Sequence, residues 1–172
     1  MLTEGIAYYE NMTDSAYEGE FARCRLDFYK PDDLPTGFAT VVWFHGGGLG
    51  GGERYIPALL HNQGYAVVGA SYRLTHTAQC PAYLQDAAAA VGWVWRHIAS
   101  YGGRQDRIFL SGHSAGAYLA SMLGLDPRWL RKENIDHWGI AGVAALSGMM
   151  STHFQIRAER GDTAVHPVLD EY

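Results

Sequence analysis

Ser114 stands in "RIFLSGHSAGAYLASML", where Gly112, His113, Ser114, Ala115 and Gly116 form a Gly-x-Ser-x-Gly pentapeptide. A buried, β-rich run precedes it and an apolar helical run follows. A strand-to-helix turn this tight holds its serine in a strained backbone conformation and pushes the hydroxyl out above the sheet. Gly112 and Gly116 are needed because strand and helix leave no room for Cβ atoms beside the turn. The helix also points its positive N-terminus at the serine, favouring negative charge that develops on a substrate. Acyl transfer at such a hydroxyl needs two or three backbone N–H groups converging on the oxyanion of the tetrahedral intermediate. Ala115, next after the serine, supplies one. The others are expected from a loop after an earlier strand, and "HGGGLGGGERY", from His45 to Tyr55, closes the apolar run "ATVVWF". Six of the seven residues after His45 are glycine, so no side chain there blocks the backbone from a substrate oxygen.

The same glycines formally match Gly-x-Gly-x-x-Gly, the dinucleotide fingerprint. No acidic residue closes the next strand, "YAVVGASY", where a ribose hydroxyl would be held. A phosphate-binding P-loop is excluded because no Gly-Lys-Ser/Thr follows. A flexible glycine hinge is the plain alternative.

The surrounding elements must position these residues. "CRLDFY" (24–29) alternates apolar and polar before the turn-rich "KPDDLPTG", which predicts a strand. "ATVVWFH" and "YAVVGASY" are continuous apolar runs of the kind buried on both faces. "RYIPALLHNQ" between them is expected to be helical, with Gly64 as its C-cap. In "PAYLQDAAAAVGWVWRHIASYGG", Leu84, Ala87, Ala88, Val91, Val94, Trp95 and Ile98 form one broad apolar face. Pro81 and Gly102 bound that helix. Strand "RIFLSG", helix "AGAYLASMLGL", the helical turn "DPRWLRKENID" and strand "IAGVAALSG" complete the pattern. The first ~20 residues have no clear period and are expected to form a surface-packed arm. Strands alternating with helices predict a single α/β domain over residues 1–172, a three-layer α/β/α sandwich around a mostly parallel sheet.

"VVWFHGGGLGGGERY", "GYAVVGASYRL", the run from Pro81 through "GHSAGAYLASML", and "GVAALSG" resemble the α/β-hydrolase fold. More narrowly they are similar to its esterase branch related to hormone-sensitive lipase, which includes carbohydrate-type esterases and arylformamidases. The resemblance runs from about Leu26 to Gly148. It implies Ser114 as nucleophile, Gly47, Gly48 and Ala115 as oxyanion donors, and His45 as a brace for the glycine loop. Leu49 falls where many members carry an aromatic residue beside the acyl site. Arg73 and Asp86 are expected to pair, tying a strand end to a helix. His113, Trp93, Trp95, Trp129 and Trp138 are expected to pack, and Asp106 and Arg107 to be a turn cap and a solvated charge.

In this fold the acid and the base follow the serine in chain order. The tail after "GVAALSG" contains His153, Asp162, His166 and Asp170, without a further strand-like run. Asp162 and His166 have the right order, but four residues apart they cannot occupy two separate post-strand loops. The expectation is therefore a C-terminally shortened fold lacking its last strands, with an incomplete triad. The "GVAALSG" strand becomes an apolar edge, a template for a homo-oligomer joined near Val143–Leu146.

A formal charge of −5 without a Lys/Arg cluster argues against nucleic acid or an anionic membrane surface as partner. No apolar run approaches the roughly 18 residues of a spanning helix, and the N-terminus lacks the pattern of a signal peptide. Cys24 and Cys80 fit a reduced, cytoplasmic pair better than a disulfide. No His/Cys/Asp cluster has metal-ligand spacing, so neither metal nor cofactor is expected. Two functions remain open: a serine hydrolase of carboxylic esters or aryl formamides, and a non-catalytic or oligomeric remnant of that fold.

Overall fold

A computed structural model describes residues 1–148 and Gly161. Six strands form one sheet: β1 (Leu2–Ala7), β2 (Arg25–Tyr29), β3 (Phe38–Phe44), β4 (Ala66–Ala70), β5 (Gly103–His113) and β6 (Gly142–Leu146), in the spatial order β1-β2-β4-β3-β5-β6. The pairings of β3 with β4, β3 with β5 and β5 with β6 are parallel. β2 joins β4 antiparallel and β1 joins β2 antiparallel. The helices are α1 (Asp14–Glu18), α2 (Ala82–His97), α3 (Ala115–Leu125) and α4 (Pro127–Arg131). Such a mostly parallel sheet with flanking helices is the architecture expected of strands alternating with helices.

Side-chain alternation decides what each face meets. Phe38, Thr40, Val42 and Phe44 of β3 and Ile108 and Leu110 of β5 are buried, and all but Thr40 belong to the core cluster that includes α2 and α3. α2 is nearly all buried from Ala82 to Val94, and its run of alanines lets it lie close to its neighbours. It ends in a short 3-10 turn, and Gly102 caps it at φ 91°, in the left-handed region that suits glycine. α4 starts on Asp126, whose carboxylate accepts from the N–H of Arg128, with Pro127 in the first turn. On the opposite face, Val41, Trp43, Phe109, Ala144 and Leu146 line an apolar groove with Leu60 and Tyr65.

Several expectations change. The N-terminal stretch is not an arm alone: residues 2–7 extend the sheet as β1, because antiparallel pairing satisfies their backbone where side-chain periodicity gave no sign. "RYIPALLHNQ" is not a helix but irregular chain with one 3-10 turn, Ala58–Leu60. Pro57 sits just ahead of that turn, and Gly69 of β4 leaves no room for a Cβ against the Tyr55 carbonyl, so this segment lies flat on the sheet. β5 begins earlier than "RIFLSG", so Asp106 and Arg107 are strand residues, and Asp106 pairs with Arg104 rather than capping a turn. Trp138 is 87% exposed and does not pack in the core, unlike Trp93 and Trp129. Cys24 and Cys80 are free thiols.

Candidate active site

β5 runs into α3 through a single residue, Ser114, whose backbone sits at φ 55° and ψ −115°. Only strong surroundings hold a non-glycine residue there. They are visible: the Ser114 N–H donates to the Leu146 carbonyl of β6 at 2.9 Å, and the Tyr118 N–H returns to the Ser114 carbonyl at 3.1 Å. The flanking glycines are obligatory for space. A Cβ on Gly116 would overlap the carbonyl of Phe44, and one on Gly112 would stand 2.5 Å from the Gly116 backbone. Ser114 is half-buried and Ala115, at the first turn of α3, fully so.

The glycine loop leaves the adjacent strand β3 and meets this turn. A Cβ on Gly46 would lie 3.1 Å from the His113 carbonyl and 3.4 Å from Ser114 Cβ, so loop and turn are in tight contact there. Gly47 and Gly48 both take positive φ, 116° and 61°, and both are exposed. The loop folds on itself through Gly50 N–H to Gly47 carbonyl, 3.1 Å. Leu49 turns inward, 2% exposed, and accepts from the Thr75 N–H at 2.8 Å.

His45 starts the loop and is buried. Its Nδ1 lies 2.7 Å from the Gly46 carbonyl, an acceptor, so Nδ1 carries the proton. Nε2 is buried without a hydrogen-bond partner among the described residues. Burial holds the imidazole below its ordinary pKa, in the neutral form. This ring braces the loop, as the resemblance implies. His113 differs from expectation: it is exposed rather than packed, since the elbow turns its side chain outward.

Behind the loop lies a buried ion pair. Arg73, following β4, places Nε and Nη2 on Asp86 of α2 at 2.9 and 2.8 Å, and Asp86 also accepts from the Arg73 N–H at 2.8 Å. Tyr9 donates to the same carboxylate at 2.7 Å, and Glu20 pairs with the far side of the guanidinium. The expected pairing is thus present, with two partners that the sequence did not point to.

Asp162 and His166, the in-chain acid and base candidates, lie outside the described residues. Among the described residues no group of three or more His, Cys, Asp or Glu could hold a metal ion. No helix of the described residues is long and apolar enough to cross a membrane.

A mostly parallel sheet with a serine elbow at one strand end and a glycine loop at the next defines the α/β-hydrolase class. Within it, the BD-FAE family profile matches residues 26–165, and the chain belongs to that family. It is 34% identical over 142 residues to a probable isoprenylcysteine alpha-carbonyl methylesterase of Oryza sativa subsp. japonica, covering 78% of this chain and 33% of that one. It is 35% identical over 140 residues to carboxylesterase 1F of Mus musculus, covering 73% and 24%. The structure superposes on esterase B of Lactobacillus rhamnosis, solved with a tributyrin phosphonate inhibitor, with a TM-score of 0.65 and 26% identity over 85% of this chain and 46% of that one. The chain therefore spans about a third or less of the length of these curated relatives.

Proposed function

We propose that the protein is a serine hydrolase of carboxylic esters or aryl formamides. The observation that carries this reading is Ser114, held at φ 55° where β5 meets α3, against a glycine loop whose amides are free of side chains. Ser114 Oγ attacks the substrate carbonyl carbon, and the N–H groups of Gly47, Gly48 and Ala115 donate to the oxygen as it becomes negative. The N-terminus of α3 adds its dipole to the same charge. The leaving alcohol or amine departs with a proton, and water then releases the acyl group from Ser114.

Such a cycle needs a base to take the Ser114 proton. His45 is unsuited, since its one free ring nitrogen is buried and unpartnered and its other holds the Gly46 carbonyl. Asp162 and His166 are the acid and base candidates in this chain. The relatives that are esterases by name support ester substrates, and the phosphonate-inhibited relative suggests the probe. A fluorophosphonate should label the wild type and not Ser114→Ala; labelling that survives the substitution would place the nucleophile elsewhere.

A second reading, a non-catalytic domain that self-associates, has its own observation. β6 is the sheet edge among the described residues, and Val143 and Leu146 on it are 43% and 49% exposed. Apolar edges of this kind pair with other chains.

A further inference from the structure

The glycine loop is long, rich in residues with the greatest conformational freedom, and exposed at Gly47 and Gly48. Something outside it must fix its shape. Most of its tethers come from, or reach to, residues 71–75, the chain that continues β4, while Arg54 Nε also pairs with Asp27 of β2 at 2.7 Å. At the loop's start, the Tyr72 hydroxyl donates to the His45 carbonyl at 2.8 Å, and its ring stacks on the imidazole at 4.4 Å, tilted by 10°. At mid-loop, the Thr75 N–H holds the Leu49 carbonyl at 2.8 Å. At the exit, the Arg54 N–H donates to Ser71 Oγ at 2.9 Å. Arg23 spans the two segments: Nε donates to the Tyr72 carbonyl at 3.2 Å, Nη2 to the Gly52 carbonyl at 2.5 Å, and Nη1 pairs with Glu53.

This rail is itself immobilised. Arg73 is locked to Asp86 of α2 through both backbone and guanidinium, and Tyr8 donates to the Ser71 carbonyl at 3.0 Å. Tyr72 is fully buried, and burial raises its phenol pKa well above the ordinary value, so it is a proton donor at any working pH. The two acceptors it and His45 engage, the His45 and Gly46 carbonyls, belong to adjoining peptide units. Fixing them fixes the planes that carry the Gly46 and Gly47 amides, and the Gly47 carbonyl, which accepts from the Gly50 N–H, lies in the plane that carries the Gly48 amide.

We infer that Tyr72 is a positioning residue for the oxyanion loop: with Arg23 it clamps His45 and Gly52, the two ends of the loop, so that the Gly47 and Gly48 amides converge on one point above Ser114. The use made of that loop rests on the proposed hydrolase function; the clamp does not. Tyr72 touches no reacting atom, so its removal should slow the chemical step without weakening binding.

The test compares wild type, Tyr72→Phe, which keeps the ring and removes the hydroxyl, and Arg23→Gln. Fluorophosphonate labelling is followed against probe concentration, and amide hydrogen exchange is followed by mass spectrometry over peptides containing 45–52 and over β3 and β5. The expected result for each variant is a maximal labelling rate lower by roughly five- to tenfold, the worth of one buried hydrogen bond. Half-saturation should be unchanged, and exchange should accelerate over 45–52 while β3 and β5 stay protected. Unchanged exchange over 45–52 would overturn the clamp, as would acceleration spread equally over β3 and β5. A wild type that does not label removes the hydrolase reading, and the exchange comparison then decides the clamp alone.

Discussion

Ser114 holds a backbone conformation that costs a non-glycine residue on the order of 1–3 kcal/mol. That cost is separable from its hydroxyl. Ser114→Ala and Ser114→Gly both lose the nucleophile, but only glycine occupies φ 55° and ψ −115° without penalty. Urea unfolding should find Ser114→Gly more stable than Ser114→Ala by about 1 kcal/mol. Equal stabilities would mean that the turn is relaxed and the elbow reading has lost its physical basis. His45 makes a second residue-scale prediction. Its pKa in the folded protein lies below the unfolded value of about 6.5, because burial disfavours the charged ring. Below that unfolded value the unfolded chain binds the proton more readily. The stability contributed by neutral His45 is therefore complete above about pH 6.5 and declines as pH falls through and below it. Between about pH 7.5 and about pH 5, wild type should lose more thermal stability than His45→Asn. Parallel curves for the two proteins would rule out a buried neutral imidazole.

Among the elements, α2 and the chain leaving β4 are joined by the Arg73–Asp86 pair, whose carboxylate is fully buried and serves Arg73 three ways and Tyr9 once. Removing one member of such a pair strands the other charge, which costs about 3 kcal/mol or more. Asp86→Asn should lower the unfolding free energy by that amount, read from the shift of the urea midpoint at unchanged slope; a loss under about 1 kcal/mol would show that Arg73 finds another partner. These are also the elements where sequence reasoning succeeded and failed. β3, β4, α2 and α3 are legible because they are largely apolar and buried, β4 throughout and α2 from Ala82 to Val94 except at Gln85. The elbow and glycine loop are legible because close backbone approach at Gly47, Gly52, Gly112 and Gly116 leaves no room for a Cβ. β1 is hidden because its residues 2–4 are exposed and its place is set by backbone pairing with β2. The segment 54–63 has helix-forming residues, but contact with Gly69 and the sheet overrides propensity. Tyr72 and Arg23 carry no local signal, since what defines them is hydrogen bonding across long sequence separations.

At the scale of the whole molecule, two apolar surfaces meet at β6. Among the described residues β6 is the sheet edge and presents Val143 and Leu146, and beside it the groove between Trp43, Phe109 and Leu146 opens on the sheet face. Exposed apolar surface of this kind favours association. Sedimentation should show a dimer that forms with rising protein concentration, and Val143→Lys combined with Leu146→Lys should abolish it; a wild-type monomer at every concentration would contradict the oligomeric expectation. The α/β-hydrolase fold and the BD-FAE family membership stand apart from that outcome. The most direct measurement is covalent labelling by a fluorophosphonate, with the modified peptide located by mass spectrometry. One adduct is expected, on the peptide carrying Ser114, absent from Ser114→Ala and slowed in Gly48→Ala, where the added Cβ meets no protein atom within 4 Å but strains the loop at φ 61°. A wild type that forms no adduct, or one on any other residue, would contradict it.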